Sequence, residues 1–301
     1  MVEDIGKIIS NGFETYTRNL NLGIPFFLNI FITGMLAVIV LGFGFFSIFG
    51  QSLSSLENVT SPEALLSILY PIVKQHIIEI GVLILLYFLV SVFLQSFFMA
   101  GAIGMAQKAT ETGTSELSTM IDAGKKNVSN LYLAEVLVGL LYMAGVVFLV
   151  PGALKADIKP LSDANVLLIF GGIFLWLVYI MILSIMLVAF SYALVIENLA
   201  PVDGITAGFN FFNKNKSDVF MLWLITGIII VTFTIIGDVI GTIPVIKSIW
   251  SFISMFISAF VFAPLTTLWW TRLYMDRTNK KLYFNELLAH PNDLAKLKAS
   301  Q

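Results

Sequence analysis

The sequence predicts an all-α integral membrane fold: six transmembrane helices as three repeated units, each an interfacial amphipathic helix plus a transmembrane hairpin. Three observations carry that expectation. Of 301 residues, 58% are hydrophobic and 12% charged, and the mean hydropathy is +0.91, a balance foreign to soluble domains. Six apolar runs each supply the roughly 20 residues with which a helix crosses about 30 Å of hydrocarbon, its backbone hydrogen bonds satisfied internally. The segments ahead of the odd-numbered runs also align with one another, the mark of an internal repeat.

In chain order the runs are Gly23 to Phe49, Ile77 to Gly104, Leu131 to Val150, Ala164 to Val195, Val219 to Ile243 and Ile249 to Leu273. The fourth exceeds what a bilayer needs and is expected to tilt or protrude. An even number of spans puts both termini on one side, and Lys and Arg bias the cytoplasmic side. With the N-terminus inside, Lys7, Arg18, Lys108, Lys125, Lys126, Lys214, Lys216 and Arg272 are cytoplasmic, as are the basic residues of the tail. Only Lys74, Lys155, Lys159 and Lys247 fall outside. Trp269, Trp270 and Tyr274 close the last run as an aromatic belt beside that basic flank. The first twenty residues carry Glu3, Asp4, Glu14 and Arg18 and no short apolar core, so the first span is expected to act as its own signal anchor in the plasma membrane.

In the outer loop Ser61-Pro62-Glu63 followed by ALLSILYPIV offers a cap and a Pro start for a short helix expected to be interrupted at Pro71. The repeat lies on the opposite side. IISNGFETYTRNLNLGIPFFL around Gly12, MIDAGKKNVSNLYLAEVLVGL around Gly124 and GITAGFNFFNKNKSDVFMLWL around Gly208 align without gaps. Ile9, Ile121 and Ile205 each precede the shared glycine by three positions, and Asn19 coincides with Asn215. Apolar residues recur there at helical spacing, Ile9, Phe13 and Tyr16 in the first copy, Met120, Ile121 and Val128 in the second, Ile205, Phe209 and Phe212 in the third. Such stripes either pack on the bundle as a brace or lie on lipid, and each helix has too few Lys or Arg for phosphoinositide capture. The repeat units are placed at 1–108, 109–198 and 199–276 of a single membrane domain, with 277–301 as a cytoplasmic tail.

The stretch VIENLAPVDGITAGFNFFNKNKSDVF, Val195 to Phe220, resembles an element of the YciC-like and glycerophosphodiesterase membrane-domain families: a hydrophobic residue and Glu, then Pro, a small-residue helix, and Lys-Asn before a span. SNGFETYTRNLNLGIPFFLN repeats it more loosely. The resemblance extends over the six-span, repeated layout and implies a prokaryotic, archaeal-type integral membrane domain with no established activity. It carries over no catalytic residue, and the sequence after Leu273 is too short for the phosphodiesterase barrel of some relatives.

Composition excludes several chemistries. There is no cysteine, so thiol catalysis, disulfides and Cys-based metal sites are out. Two histidines, His76 and His290, are too few and too far apart for a His-rich metal centre or a Ser-His-Asp triad. Lys+Arg at 17 nearly cancel Asp+Glu at 19, leaving no basic surplus for nucleic acid. HExxH, GxSxG, P-loop and dinucleotide fingerprints are missing, so no enzyme, cofactor or metal is expected.

Four polar residues remain as candidates for an intramembrane site. Asp238 sits about 9 Å inside the outer end of the fifth run at 1.5 Å per residue, where a lone carboxylate costs up to about 2.5–3.5 kcal/mol. It is either a proton or cation site beside Thr234, Thr242 or Lys247, or a structural hydrogen-bonding group. Glu135, one turn into the third run, and Gln95, within the second, read more readily as an interfacial carboxylate and an interhelical hydrogen bond, whereas Glu197, ending the fourth run before Asn198 and Pro201, is placed to tie the third interfacial helix to the bundle. Gly101, Gly104, Gly42 and Gly44 mark close helix packing. The sequons at Asn58 and Asn127 occur at the frequency chance supplies, and only Asn58 is on the outer side. The expected function is a non-enzymatic membrane protein that organises lipid or a partner, a membrane protein or a second copy of the chain, through the interfacial helices. The alternative is a transporter or channel for a small solute or lipid built on Asp238.

Overall fold

A computed structural model describes residues 3–50, 61–155 and 163–283 of the chain. The Asn58 sequon, Lys159 and the tail beyond 283, with His290, lie outside the described residues. Every regular element among the described residues is helical: α1 (Ile5–Arg18), α2 (Ile24–Ala37), α3 (Phe43–Phe49), α4 (Pro62–Gln75), α5 (Ile77–Thr112), α6 (Leu117–Ala144), α7 (Val150–Lys155), α8 (Asp163–Leu187), α9 (Phe190–Glu197), α10 (Pro201–Lys214), α11 (Lys216–Ile240), α12 (Pro244–Ile257) and α13 (Ala263–Arg277).

Some of these join into six helices long and apolar enough to cross a membrane: Leu20–Phe49, Ile77–Thr112, Leu117–Gly152, Val166–Glu197, Lys216–Ile240 and Ile246–Arg277. These are the first to sixth spans. Their number matches the sequence expectation, and the departures have local causes. The long fourth span breaks at Val188 and Ala189, so its excess length becomes the separate, buried helix α9. π-Helical turns interrupt the first span at Val38–Gly42 and the sixth at Ser258–Phe262. α4 continues through Pro71 without the expected interruption.

The chain divides into two compact units, Phe27–Gln95 and the remainder, Met1–Phe26 with Ser96–Gln301. In the smaller unit, Gly44 is a close approach: a side-chain carbon there would meet Leu83 at 2.6 Å. Phe45 and Phe49 stack with ring centroids 4.6 Å apart. The Thr33 hydroxyl donates to the Asn29 carbonyl one turn earlier.

In the larger unit the core is built at the basic ends of the spans. Ala100 to Ala106, Phe190 to Ile196 and Leu265 to Asp276 are almost continuously buried, except for Thr266. Against each of these stretches an amphipathic helix crosses at a glycine. A carbon added at Gly12 of α1 would lie 3.0 Å from the indole nitrogen of Trp269; at Gly124 of α6, 2.8 Å from the Phe97 ring; at Gly208 of α10, 2.6 Å from the Phe190 backbone nitrogen. One turn away, Met120 meets Gly101 and Gly204 meets Leu194. Ile8 and Leu273, in the corresponding places of the first crossing, are fully buried. Each helix therefore runs antiparallel to the span it crosses.

Helix boundaries follow from side-chain caps. Asp4 accepts a hydrogen bond from the Lys7 amide at 2.8 Å and starts α1; Pro201 occupies the first position of α10, where its missing N–H costs nothing. Asn19 and Asn215 stop α1 and α10, and each side-chain amide donates to the carbonyl four residues back. The second segment has no such stop. Leu131 stands where the other two copies have Asn, it is fully buried, and α6 runs without a break from the amphipathic stretch into the third span.

Candidate functional site

Two places in the larger unit gather polar groups. The first lies at the basic ends of the spans and joins α1 to α13. Arg272 is 1% exposed in an otherwise apolar stretch, and a guanidinium there must be paired to persist. Glu3 supplies the partner, accepting from Nε and Nη2 of Arg272 at 2.6 Å each. The Glu3 carboxylate also accepts from Asn11 at 3.0 Å, and the Glu3 amide donates to both oxygens of Asp276 at 3.2 and 3.3 Å. Arg277 completes the cluster. It donates to the Glu3 carbonyl at 2.9 Å, to Asp218 of α11 at 2.7 Å, and to Asp276. Burial pushes the Glu3 carboxyl up, but the hydrogen bonds and charge of Arg272, the Asn11 bond and the Lys7 charge together hold it below its usual value.

The rest of α1 is fixed in the same way. The Trp269 indole donates to the Ile9 carbonyl at 3.2 Å, and the Tyr16 hydroxyl donates to the carbonyl of Phe260 inside the π-helical turn. Burial raises the Tyr16 phenol, keeping it a donor. Asn19 bridges to the loop after the second span, donating to Gly113 and accepting from the Ser115 amide at 2.9 Å each. The charged groups of this cluster are paired with one another and mostly buried, so its chemistry is structural.

The second place is a groove of about 810 Å³ between the fifth and sixth spans. Thr234 and Asp238 line it from α11, Lys247, Ser251 and Ser254 from α12, and Ser258 from the π-helical turn. Phe233 and Trp250 also line it, 5.8 Å between ring centroids. Asp238 and Lys247 are exposed, and no ion pair joins either to another described residue. An acid and a base thus face one open groove at its mouth far from Arg272, and several hydroxyls line the groove from there inward.

The sequence candidates separate accordingly. Asp238 lines the groove with Thr234 and Lys247, as their proximity in sequence suggested, whereas Thr242 donates to the Val239 carbonyl and is not part of the lining. Glu135 is half-buried on α6 and Glu197 ends α9, where it accepts from the Tyr274 hydroxyl at 3.0 Å and lies 3.7 Å from the Lys280 ammonium. Neither lines the groove. Gln95 is exposed, in the smaller unit. In the amphipathic helices Gly12, Gly124 and Gly208 are the buried contact points; Ile9, Ile205 and Phe209 are half-buried, while Phe13 and Ile121 are exposed. Asn127 is buried and donates to the Ala123 carbonyl. Among the described residues no group of three His, Asp or Glu side chains is placed to hold a metal ion.

Sequence reasoning missed two sets of residues. Arg272 was readable only as a basic flank, because its partner Glu3 lies at the other end of the chain. Ser251, Ser254 and Ser258 were overlooked, although their spacing of three and four puts them on one helical face. No protein-family model matches the chain, and no curated protein or solved structure does.

Proposed function

We propose that the chain is a non-enzymatic, multi-pass plasma-membrane protein that organises lipid, on a frame of three repeated units whose amphipathic helices lie at the cytoplasmic surface with both termini. The observation that carries this reading is the division of faces on those helices. Their glycine faces pack on the spans, as a brace requires, while Phe13, Leu117, Ile121 and Val202 stay exposed, Phe13 at 54% and Val202 at 63%. Exposed Lys7, Arg18, Lys125, Lys126 and Lys214 share these helices. Large apolar side chains beside cations suit the headgroup layer.

The threefold character is supported by the three crossings, which share one register. Gly113, Asn198 and Asn279 follow the second, fourth and sixth spans, and these are the positive-φ residues among the described ones. The helix of the first unit crosses the span of the last, so the series closes on itself.

The test is native mass spectrometry of the protein released from nanodiscs. Wild type is expected to retain lipid, and Phe13→Glu with Val202→Glu to lose it without loss of helicity, because both side chains are exposed. Retention unchanged in the double variant removes this reading. A second reading, transport of a small solute, is favoured by Asp238 in the groove; it predicts that Asp238→Asn abolishes a proton- or cation-dependent flux into vesicles.

A further inference from the structure

The groove between the fifth and sixth spans is longer than a binding pocket needs to be. Its lining runs from Lys247 to Thr266 on the sixth span, about 28 Å at 1.5 Å per residue, and from Ile230 to Gly241 on the fifth, about 17 Å, a large part of the roughly 30 Å of a hydrocarbon layer. Along that length Ser251, Ser254, Ser258 and Thr266 supply hydroxyls at intervals, and Thr234 adds one from the facing helix. The π-helical turn Ser258–Phe262 sits midway, a feature that recurs at functional sites.

Several hydroxyls spend their proton locally: Thr234 donates to Ile230, Ser254 to Ser251 and Thr266 to Phe262, at 2.9 to 3.1 Å. A hydroxyl so engaged keeps its lone pairs, which accept hydrogen bonds from an ammonium group passing by. At the far mouth Asp238 and Lys247 are exposed and of opposite sign, the complement of a headgroup that carries an ammonium and a phosphate. The margins are apolar. Ile246, Ile249, Phe252 and Ile253 on α12, with Ile235 and Val239 on α11, are exposed large side chains that acyl chains can cover.

We propose that this groove is a track along which headgroups of zwitterionic, ethanolamine-type phospholipids cross the membrane while their acyl chains stay in the bilayer. Asp238 holds the ammonium and Lys247 the phosphate at the mouth, and the hydroxyl series replaces headgroup hydration through the apolar layer. The proposal rests on the lipid-organising reading and extends it from holding lipid to moving it between leaflets. No bond is made or broken and no energy source is required, because exchange runs down the lipid's own gradient.

The test uses the full chain in vesicles of ethanolamine and glycerol phospholipids with a trace of acyl-labelled ethanolamine lipid, the outer leaflet being bleached by a membrane-impermeant reductant. Wild type is expected to carry bleaching beyond the outer leaflet's share to nearly all the label. Ser254→Leu with Ser258→Leu should slow exchange about tenfold, while Ser254→Thr with Ser258→Thr, which keeps both hydroxyls, should exchange as wild type does. Asp238→Asn should slow the ethanolamine lipid more than an acyl-labelled glycerol lipid. Wild-type vesicles that bleach like protein-free ones overturn the track, as does exchange unaffected by the leucines in a variant that elutes and melts as wild type. Entry of free phosphoethanolamine without lipid exchange overturns it in favour of a soluble zwitterion. Lipid retained in native mass spectrometry without exchange overturns the track alone; exchange without retained lipid overturns the retention reading alone.

Discussion

The Arg272 guanidinium grips the Glu3 carboxylate through two hydrogen bonds of 2.6 Å, tying the sixth span to a residue 269 positions away. Replacing such a pair wholesale by apolar groups can be neutral, whereas removing one partner leaves the other buried and uncompensated at a cost of about 3–5 kcal/mol. Glu3→Gln and Arg272→Met should therefore each lower stability by several kcal/mol, since the first leaves the Arg272 guanidinium and the second the Glu3 carboxylate buried without its counter-charge. The double variant should recover part of the loss. Thermal unfolding of the four proteins in detergent checks it, and strict additivity would mean the two groups do not interact.

The same pair sets an acid limb. Glu3 is held below its usual value of 4.5 in the folded chain, so its stabilisation is fully present above about pH 4.5 and is lost as pH falls through the lower native value. Wild type should lose thermal stability on acidification through that window. Glu3→Gln, starting lower, should show a shallower slope there, and parallel slopes would place the acid sensitivity elsewhere.

How much of this was legible in the sequence depends on the range of the interaction. The spans were legible because hydrophobic length is a local property. The fifth, for instance, was expected at Val219 to Ile243 and has its helix at Lys216–Ile240. The shared glycines were legible as a pattern, but what each one touches was not, since Trp269 reaches Gly12 from the opposite end of the chain. The unbroken α6 turned on one substitution within the repeat, Leu131 for Asn. Ser251, Ser254 and Ser258 escaped notice because a serine barely changes the hydropathy of an apolar helix, and only the facing α11 makes them one wall of a groove.

The glycines make a graded prediction. Gly208→Ala would drive a methyl to 2.5 Å from the Phe190 Cα, where backbone must move; Gly12→Ala meets only the Trp269 ring. Gly208→Ala should be the more destabilising, by roughly 1–3 kcal/mol as overpacking typically costs. Gly139→Ala, in the same α6 as Gly124 but with open space around it, should be neutral or stabilise by about 0.5–1 kcal/mol through helix propensity. Melting temperatures of the three variants decide it, and equal effects at all three would mean the crossings are not close.

Asn19 carries two tasks with one amide, ending α1 and clasping the loop that leaves the second span. Its Nδ2 donates to Thr15 and Gly113 and its Oδ1 accepts from the Ser115 amide, each at 2.9 Å, with the side chain 4% exposed. Asn19→Ala leaves the Ser115 N–H and the Gly113 carbonyl buried without this partner, a loss of about 1–3 kcal/mol for each unsatisfied group. Asn19→Asp keeps the acceptor for Ser115 but removes the donor and sets a carboxylate against two carbonyl oxygens, so it should be no better than Ala. Asn215→Ala, whose Nδ2 bonds the Phe211 carbonyl at 3.0 Å on the half-exposed end of α10, should cost less than Asn19→Ala. Hydrogen exchange at the Ser115 amide locates the effect: it should accelerate in both Asn19 variants' loop opening, more in Ala than in Asp, and stay at the wild-type rate in Asn215→Ala.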